Sequence, residues 1–211
     1  MVTYLNKILL FILLPILLIA SEKSLDTIYE DVLITYSTIN TYETYFVQDN
    51  YWEEIDVYKS SEGKLYYDKE NLLMDYSEPI GQKLLINENN MTMYDPVSEQ
   101  AIISDKIEIE FRPDKLISHY WDMSEKELID QFNSTIRIKL LTPEEEKIII
   151  TISNNVVTEF NIIDKNGNFV IYKFSDIQIN KALPDKIFEL ILPKGTNIND
   201  TRSNKYTSIQ K

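Results

Sequence analysis

The stretch GKLYYDKENLLMDYSEPIGQKLLINENNMTMYDPVSEQAIISD, residues 63 to 105, decides the fold. It contains four or five short runs in which apolar side chains alternate, broken by turn chemistry. Leu72, Met74 and Tyr76 share one face of a strand, and Leu65, Tyr66 and Tyr67 lie on both faces of the one before. Ser77-Glu78-Pro79, Asn87 to Asn90 and Asp95-Pro96 interrupt the runs, because Pro cannot donate to a ladder and Asn and Asp tolerate tight-turn backbone. Short strands at roughly 8–12-residue spacing predict one antiparallel meander.

Working outward, the N-terminal side supplies more of the same sheet. Tyr42, Thr44, Phe46 and Gln48 face one way and Glu43, Tyr45 and Val47 the other. Asp49-Asn50 starts a turn, Ile55, Val57 and Lys59 form a strand, and Ser60 to Gly63 reads as the next turn. Before them, Ile28, Val32, Leu33, Tyr36 and Ile39 recur at helical spacing within Ser24 to Asn40. That single helix must bury its apolar face against the sheet. Earlier still, Lys7 precedes the apolar run Ile8 to Ala20. At about 13 residues this run is short for a membrane span, which needs ~20, and suits the core of a signal peptide. Cleavage is expected after Ala20, with Ser21 as the alternative site and a retained anchor as the alternative fate.

On the C-terminal side, Ile107, Ile109 and Phe111 read as strand, ended by Arg112-Pro113. Leu116 to Trp121 and Leu128 to Phe132 read as one or two short helices, the second with a capping box from Ser124 to Glu127. Residues 135 to 174 read as four strands, with Asn154-Asn155 and Asn166-Gly167 as hairpin turns. Asn199 onward is polar and reads as a frayed tail. The expected architecture is mainly β (α+β). A single curved antiparallel sheet of about eleven strands forms an incomplete barrel, covered by an N-terminal helix and short central helices. Residues 1–20 are the signal peptide, 21–198 the domain and 199–211 the tail.

Composition narrows the function. A formal charge of −13 argues against nucleic-acid binding, where a basic stripe is expected. It also argues against adhesion to anionic bilayers. With no cysteine there is no disulfide, thiolate nucleophile or Cys-ligated metal, and no Cys to be lipidated. The single histidine, His119, has no G-x-S-x-G partner and no H-E-x-x-H context. Four glycines, never in a G-x-G pair, make no phosphate loop. No catalytic site, metal site or cofactor is expected. The three methionines Met74, Met91 and Met93 fit either an ordinary core or a surface for irregular apolar ligands.

Gly63-Lys64-Leu65-Tyr66-Tyr67, then Asp75-Tyr76 with Pro79 and Gln82, then Tyr94-Asp95-Pro96 and Glu99-Gln100, occur in the order seen in a known family. Phe46 and Gln48 upstream fit it, as do Asp164, Gly167-Asn168, Phe174, Asn180, Phe188 and Pro193-Lys194-Gly195 downstream. On these residues the chain resembles the periplasmic outer-membrane lipoprotein carrier (LolA) family, over roughly Ser24 to Ile198. The resemblance implies a non-enzymatic periplasmic carrier, working as a monomer. Such a carrier takes lipoproteins from an inner-membrane releasing transporter, shields their acyl chains, and delivers them to an outer-membrane receptor or directly to that membrane.

Phe46, Val57, Leu72, Met74, Leu84, Ile86, Met91 and Met93 are then the expected cavity wall. The family holds its lid shut with an Arg that precedes a Pro between the third and fourth strands. Here the loop reads Asp68-Lys69-Glu70. Lys69 takes the latch position counting from Gly63, and Asp68 takes it counting back from Asp75. A different class stays open beside the carrier: a periplasmic sensor or regulatory binding domain on the same half-barrel. A lipid or glycan hydrolase would need a constellation that the sequence does not offer.

Overall fold

The computed structural model describes residues 23–105 and 112–203. The leader with Lys7 and Ile8 to Ala20, the strand expected around Ile107 to Phe111, and the tail from 204 onward lie outside them.

Helix α1 spans Leu25–Ser37, with Ser24 as its N-cap accepting the Thr27 amide at 3.2 Å. Strand β1 (Tyr42–Trp52) leads through a short 3-10 turn into β2 (Val57–Tyr67). The meander follows as β3 (Leu72–Glu78), β4 (Lys83–Ile86), β5 (Asn90–Asp95) and β6 (Gln100–Asp105). Helix α2 (Pro113–Trp121) starts with Pro at its first position, where the missing N–H costs nothing. Then come β7 (Glu125–Phe132), β8 (Thr135–Leu141), β9 (Lys147–Ser153), β10 (Val156–Ile163), β11 (Phe169–Ile179) and β12 (Asn197–Asp200). All twelve strands form one sheet, in the order β12-β6-β5-β4-β3-β2-β1-β11-β10-β9-β8-β7. The sheet is open, with β12 and β7 at its edges. The expected half-barrel is present, with one strand more than the count of eleven and one central helix among the described residues.

Four local expectations are corrected. Asp49-Asn50 does not start a turn, because β1 runs through it to Trp52 and both residues pair with β2. Ser60 to Gly63 is not a turn: β2 runs straight through it, paired with β1 along its whole length. Gly63 is needed for a close approach, since a Cβ there would sit 2.2 Å from the Asp75 carbonyl oxygen on β3. Leu128 to Phe132 is strand, not helix. In β7, Glu127 faces Lys139 and Asp130 faces Arg137 across β8, and both pairs are ion pairs. Pairing the open edge of β8 outweighs a local capping box, worth about 1 kcal/mol. Finally, the chain does not fray at Asn199. Residues 197 to 200 add to β6 as a parallel strand, and Ser203 bonds to Asp105.

Several residues that carry the family resemblance hold turns and ties. Asp164 accepts the amides of Asn166 and Asn168, closing the turn between β10 and β11. Asn180 accepts the Asn40 amide at 2.7 Å and donates to the Thr38 carbonyl, fixing the entry to β1. The main core lies on the concave face, under the two helices. On the convex face the segment between β11 and β12 crosses the sheet, laying Leu183, Ile187, Phe188 and Leu190 over Tyr66, Leu73 and Leu85.

Candidate functional site: the concave face and its helical cover

Cross-strand pairing fixes which side chains share the concave face. One row runs Thr44, Leu65, Met74, Leu84, Met93 and Ile102 from β1 to β6. The next runs Tyr42, Tyr67, Leu72, Ile86 and Met91. Directly paired residues point the same way, so Leu72, Met74, Leu84, Ile86, Met91 and Met93 lie on one face. Phe46, two residues beyond Thr44, shares that face and is buried against Tyr76 edge-on at 5.1 Å. Val57 lies an even number of residues from Leu65, hence on the same side, but at the far end of β2.

Coverage of that face is uneven. In the first row exposure climbs from 2% at Met74 to 38% at Met93 and 40% at Ile102. Val57 is 41% exposed. Phe46, Leu72, Met74 and Ile86 are buried, while Leu84 and Met91 are half-buried against the core. The eight expected wall residues thus share one face, but Val57 and Met93 stand outside its covered part.

The cover consists of α1 and α2. Ile28, Val32 and Tyr36 from α1, with Leu116, Ile117 and Trp121 from α2, enter the same core as Phe46 and Met74. The helices hold one another through Tyr29 and Trp121, stacked at 4.3 Å, and through the Tyr29 hydroxyl, 3.2 Å from Ser118 Oγ. Their backbones approach β7 and β10, so they lean on the β7–β10 half and leave the β5–β6 end open.

The charged contact between cover and sheet was not foreseen. Arg112, which precedes α2, bonds to buried Asp114 through Nε at 3.2 Å and Nη2 at 3.1 Å. Its guanidinium carbon lies 5.0 Å from the centroid of the Tyr67 ring, in cation–π geometry. Lys69 is exposed and makes no hydrogen bond or ion pair among the described residues. The neighbouring Asp68 closes the loop by accepting the amides of Glu70 and Asn71. The sequence marked Arg112 only as the end of a strand.

Beneath Arg112 lies a group of buried tyrosines. Tyr42 and Tyr67, opposed across β1 and β2, stack at 4.7 Å with a 10° interplanar angle. Neither hydroxyl has a hydrogen-bond partner among the described residues. A buried polar group left unpaired costs about 1–3 kcal/mol. Tyr36 is better placed, accepting the Val157 amide at 3.2 Å where β10 bulges. Burial pushes the hydroxyls of Tyr36, Tyr42 and Tyr67 above the ordinary phenol range.

Among the described residues no nucleophile, base and orienting group come together. His119 is exposed on α2, edge-on to Tyr120 at 4.9 Å. It borders a depression of about 400 Å³ with Glu144, Glu146 and Asp164, which contains no serine nucleophile. Among the described residues no three His, Asp or Glu side chains come together to hold a metal, and no helix is long and apolar enough to cross a membrane.

Comparison with known proteins agrees with this architecture. The model of the family described as outer membrane lipoprotein carrier protein LolA matches residues 37–191. An outer-membrane lipoprotein carrier protein from Pseudomonas putida is 22% identical over 150 residues, covering 66% of this chain and 72% of the relative. One from a Shewanella species is 23% identical over 134 residues, covering 60% and 62%. Among solved structures, an uncharacterized conserved protein from Thermus thermophilus superposes with a TM-score of 0.54 at 11% identity, over 84% of this chain and 99% of that one. MucB superposes at 0.50 with 9% identity, over 80% and 64%. These two likenesses speak to the fold. With most of its length matched by the family model, on the half-barrel described above, the chain belongs to the outer membrane lipoprotein carrier protein LolA family.

Proposed function

We propose that the protein is a non-enzymatic periplasmic carrier that shelters the acyl chains of lipoproteins on its concave face, between the inner and outer membranes. The observation that supports this reading best is the row from Met74 to Ile102. It is apolar throughout, and its cover thins from buried to more than one-third exposed. An ordinary core would close over such a row. An acyl chain laid along it gains roughly 0.8 kcal/mol for each CH₂ removed from water.

In this reading the wall is formed by Phe46, Leu72, Met74, Leu84, Ile86, Met91 and Met93. In the closed arrangement α1 and α2 fill the space that cargo would occupy, so loading displaces them. The Arg112–Tyr67 contact takes the latch role that Lys69 was expected to hold. The inner-membrane releasing transporter and an outer-membrane receptor are the partners this reading requires.

The test is to incubate the protein with inner-membrane vesicles carrying lipoproteins and their releasing transporter, then analyse the soluble fraction by mass spectrometry. A one-to-one complex with an acylated polypeptide is expected, weakened by Met93→Glu. Met93 is exposed enough to accept a carboxylate without unfolding the core. Leu72→Glu and Met74→Glu are poor probes, because both sites are buried and an unpaired charge there would unfold the protein first. With wild-type protein folded and vesicles that load an authentic carrier, absence of any complex would overturn the reading in favour of a regulatory binding domain.

A further inference from the structure

We propose that Tyr42 and Tyr67 form a polar anchor inside the concave face, whose two unpaired hydroxyls donate hydrogen bonds to the ester or amide carbonyls of an acylated ligand. The inference rests on the carrier reading above and names the part of the ligand that this end of the site would recognise. Both side chains are essentially fully buried, at 0% and 1% exposure, yet among the described residues neither hydroxyl has a hydrogen-bond partner. The polar groups around them are already engaged: Arg112 and Asp114 satisfy each other through two bonds, Tyr36 accepts from the Val157 backbone, and Thr44, next to the Tyr42 hydroxyl, donates to the Ser175 carbonyl at 2.6 Å. Two O–H donors therefore remain, on directly opposed residues of the concave face.

The chemistry selects the ligand group. A hydrocarbon chain offers no acceptor, so it would leave both hydroxyls as they are. A carboxylate or phosphate would have to shed its hydration at a wholly buried site where the one nearby cation, Arg112, is already committed to Asp114. An ester or amide carbonyl is a neutral acceptor with no proton to dispose of. A glycerol unit bearing two neighbouring acyl esters presents two such carbonyls, matching the two donors. Their chains would then run past Leu72 and Met74, which follow Tyr67 and Leu65 in the same rows. Phenylalanine at both positions would give an equally well-packed core without orphaned hydroxyls, so the hydroxyls cost stability in the empty protein.

The experiment compares two short-chain synthetic lipopeptides below their micellar concentration. One carries a diacylglyceryl cysteine and the other its dialkyl ether analogue with matched chains, which lacks the carbonyls. Affinities are measured by calorimetry for wild type, Tyr67→Phe and the double variant Tyr42→Phe/Tyr67→Phe. Urea midpoints of the empty proteins are measured alongside. Wild type should prefer the ester by about tenfold, the worth of one or two neutral hydrogen bonds. The double variant should lose that preference, bind the ether as wild type does, and unfold at an equal or higher urea concentration. Unchanged discrimination in the double variant overturns the anchor and leaves the carrier reading standing. So does equal loss of both ligands with a lower urea midpoint, because the hydroxyls would then be structural. If wild type binds neither lipopeptide, the carrier reading fails and the anchor with it.

Discussion

Arg112 and Tyr67 face each other across the boundary between cover and sheet, the guanidinium carbon 5.0 Å from the ring centroid. The arginine is held in that position by its fork of bonds to Asp114. Replacing it leaves a carboxylate buried without its cation. Arg112→Gln should destabilise the protein by about 2 kcal/mol and speed protease cleavage within α2. Arg112→Lys should lose about half as much, since lysine keeps the charge but not the fork. Lys69→Ala should stay within about 0.5 kcal/mol of wild type. Urea denaturation and limited proteolysis check all three, and an Arg112→Gln protein as stable as wild type would remove the latch assignment.

Gly63 is where β2 and β3 approach most tightly. The Cβ of Gly63→Ala would meet Asp75 O at 2.2 Å and Tyr76 Cα at 2.7 Å, both backbone atoms that cannot swing aside. The expected loss is about 3 kcal/mol, at the upper end for overpacking. Hydrogen exchange should show it first in the β2–β3 ladder.

Asp49 sets part of the acid limit. It is buried on the convex side, which by itself raises a carboxyl pKa, but bonds from Tyr58, Ser60 and Lys173 hold it below the usual carboxylate range. A folded pKa below the unfolded value means the contribution is present above about pH 4 and is lost as pH falls through the folded value. Stability measured from pH 7 down to pH 2 should therefore fall below about pH 4. Asp49→Asn should lower stability near neutrality by about 1 kcal/mol and flatten that acid slope.

The alkaline limit belongs to the tyrosines. Burial raises Tyr36, Tyr42, Tyr67 and Tyr172 well above the ordinary phenol range, and raises Tyr76 to about 12. Groups with raised folded pKa stabilise fully below the unfolded pKa, about 10, and that stability is lost as pH rises further. Phenolate absorbance should thus appear in two stages: exposed tyrosines first, then a cooperative step coincident with loss of the β-sheet circular dichroism signal. Smooth ionisation of all tyrosines with the sheet intact would contradict the packing around them.

Much of this architecture is legible in the sequence, and the gaps have physical causes. The meander from 63 to 105 can be read because alternation and turn residues agree along it. Ser60 to Gly63 misleads because glycine there serves strand proximity, and small polar residues look the same in either setting. Strand β7 misleads because Leu128, Ile129 and Phe132 mimic helical spacing on an edge whose outer side needs no alternation. Its available signal is charge, with Glu127 and Asp130 spaced to meet Lys139 and Arg137. Strand β12 (NIND) has almost no apolar content, so only the neighbouring edge of β6 reveals it. The shared face of the eight wall residues follows from strand parity. Which of them the helices cover does not, because that depends on α1 and α2 leaning toward β7 and β10. Arg112 and the unpaired tyrosines become visible only when residues distant in sequence meet.

The pairing of β1 with β11 dictates an order of assembly. Every other antiparallel pair in the sheet joins strands consecutive in the chain, whereas this one brings together residues such as Thr44 and Ser175, 131 positions apart. Closing so long a loop before contacts reward it is slow. Strands β1 to β6 and β7 to β11 can each zip locally, but the two halves stay separate until β11 finds β1. The apolar wall lies on β1 to β6, but the helices that cover it lean on β7 and β10, so the covered face is incomplete until that seam closes. Pulse-labelled hydrogen exchange should find the β1–β11 amides among the last protected. A chain that emerges from its N-terminus would carry this wall without its cover until nearly all of it has been delivered.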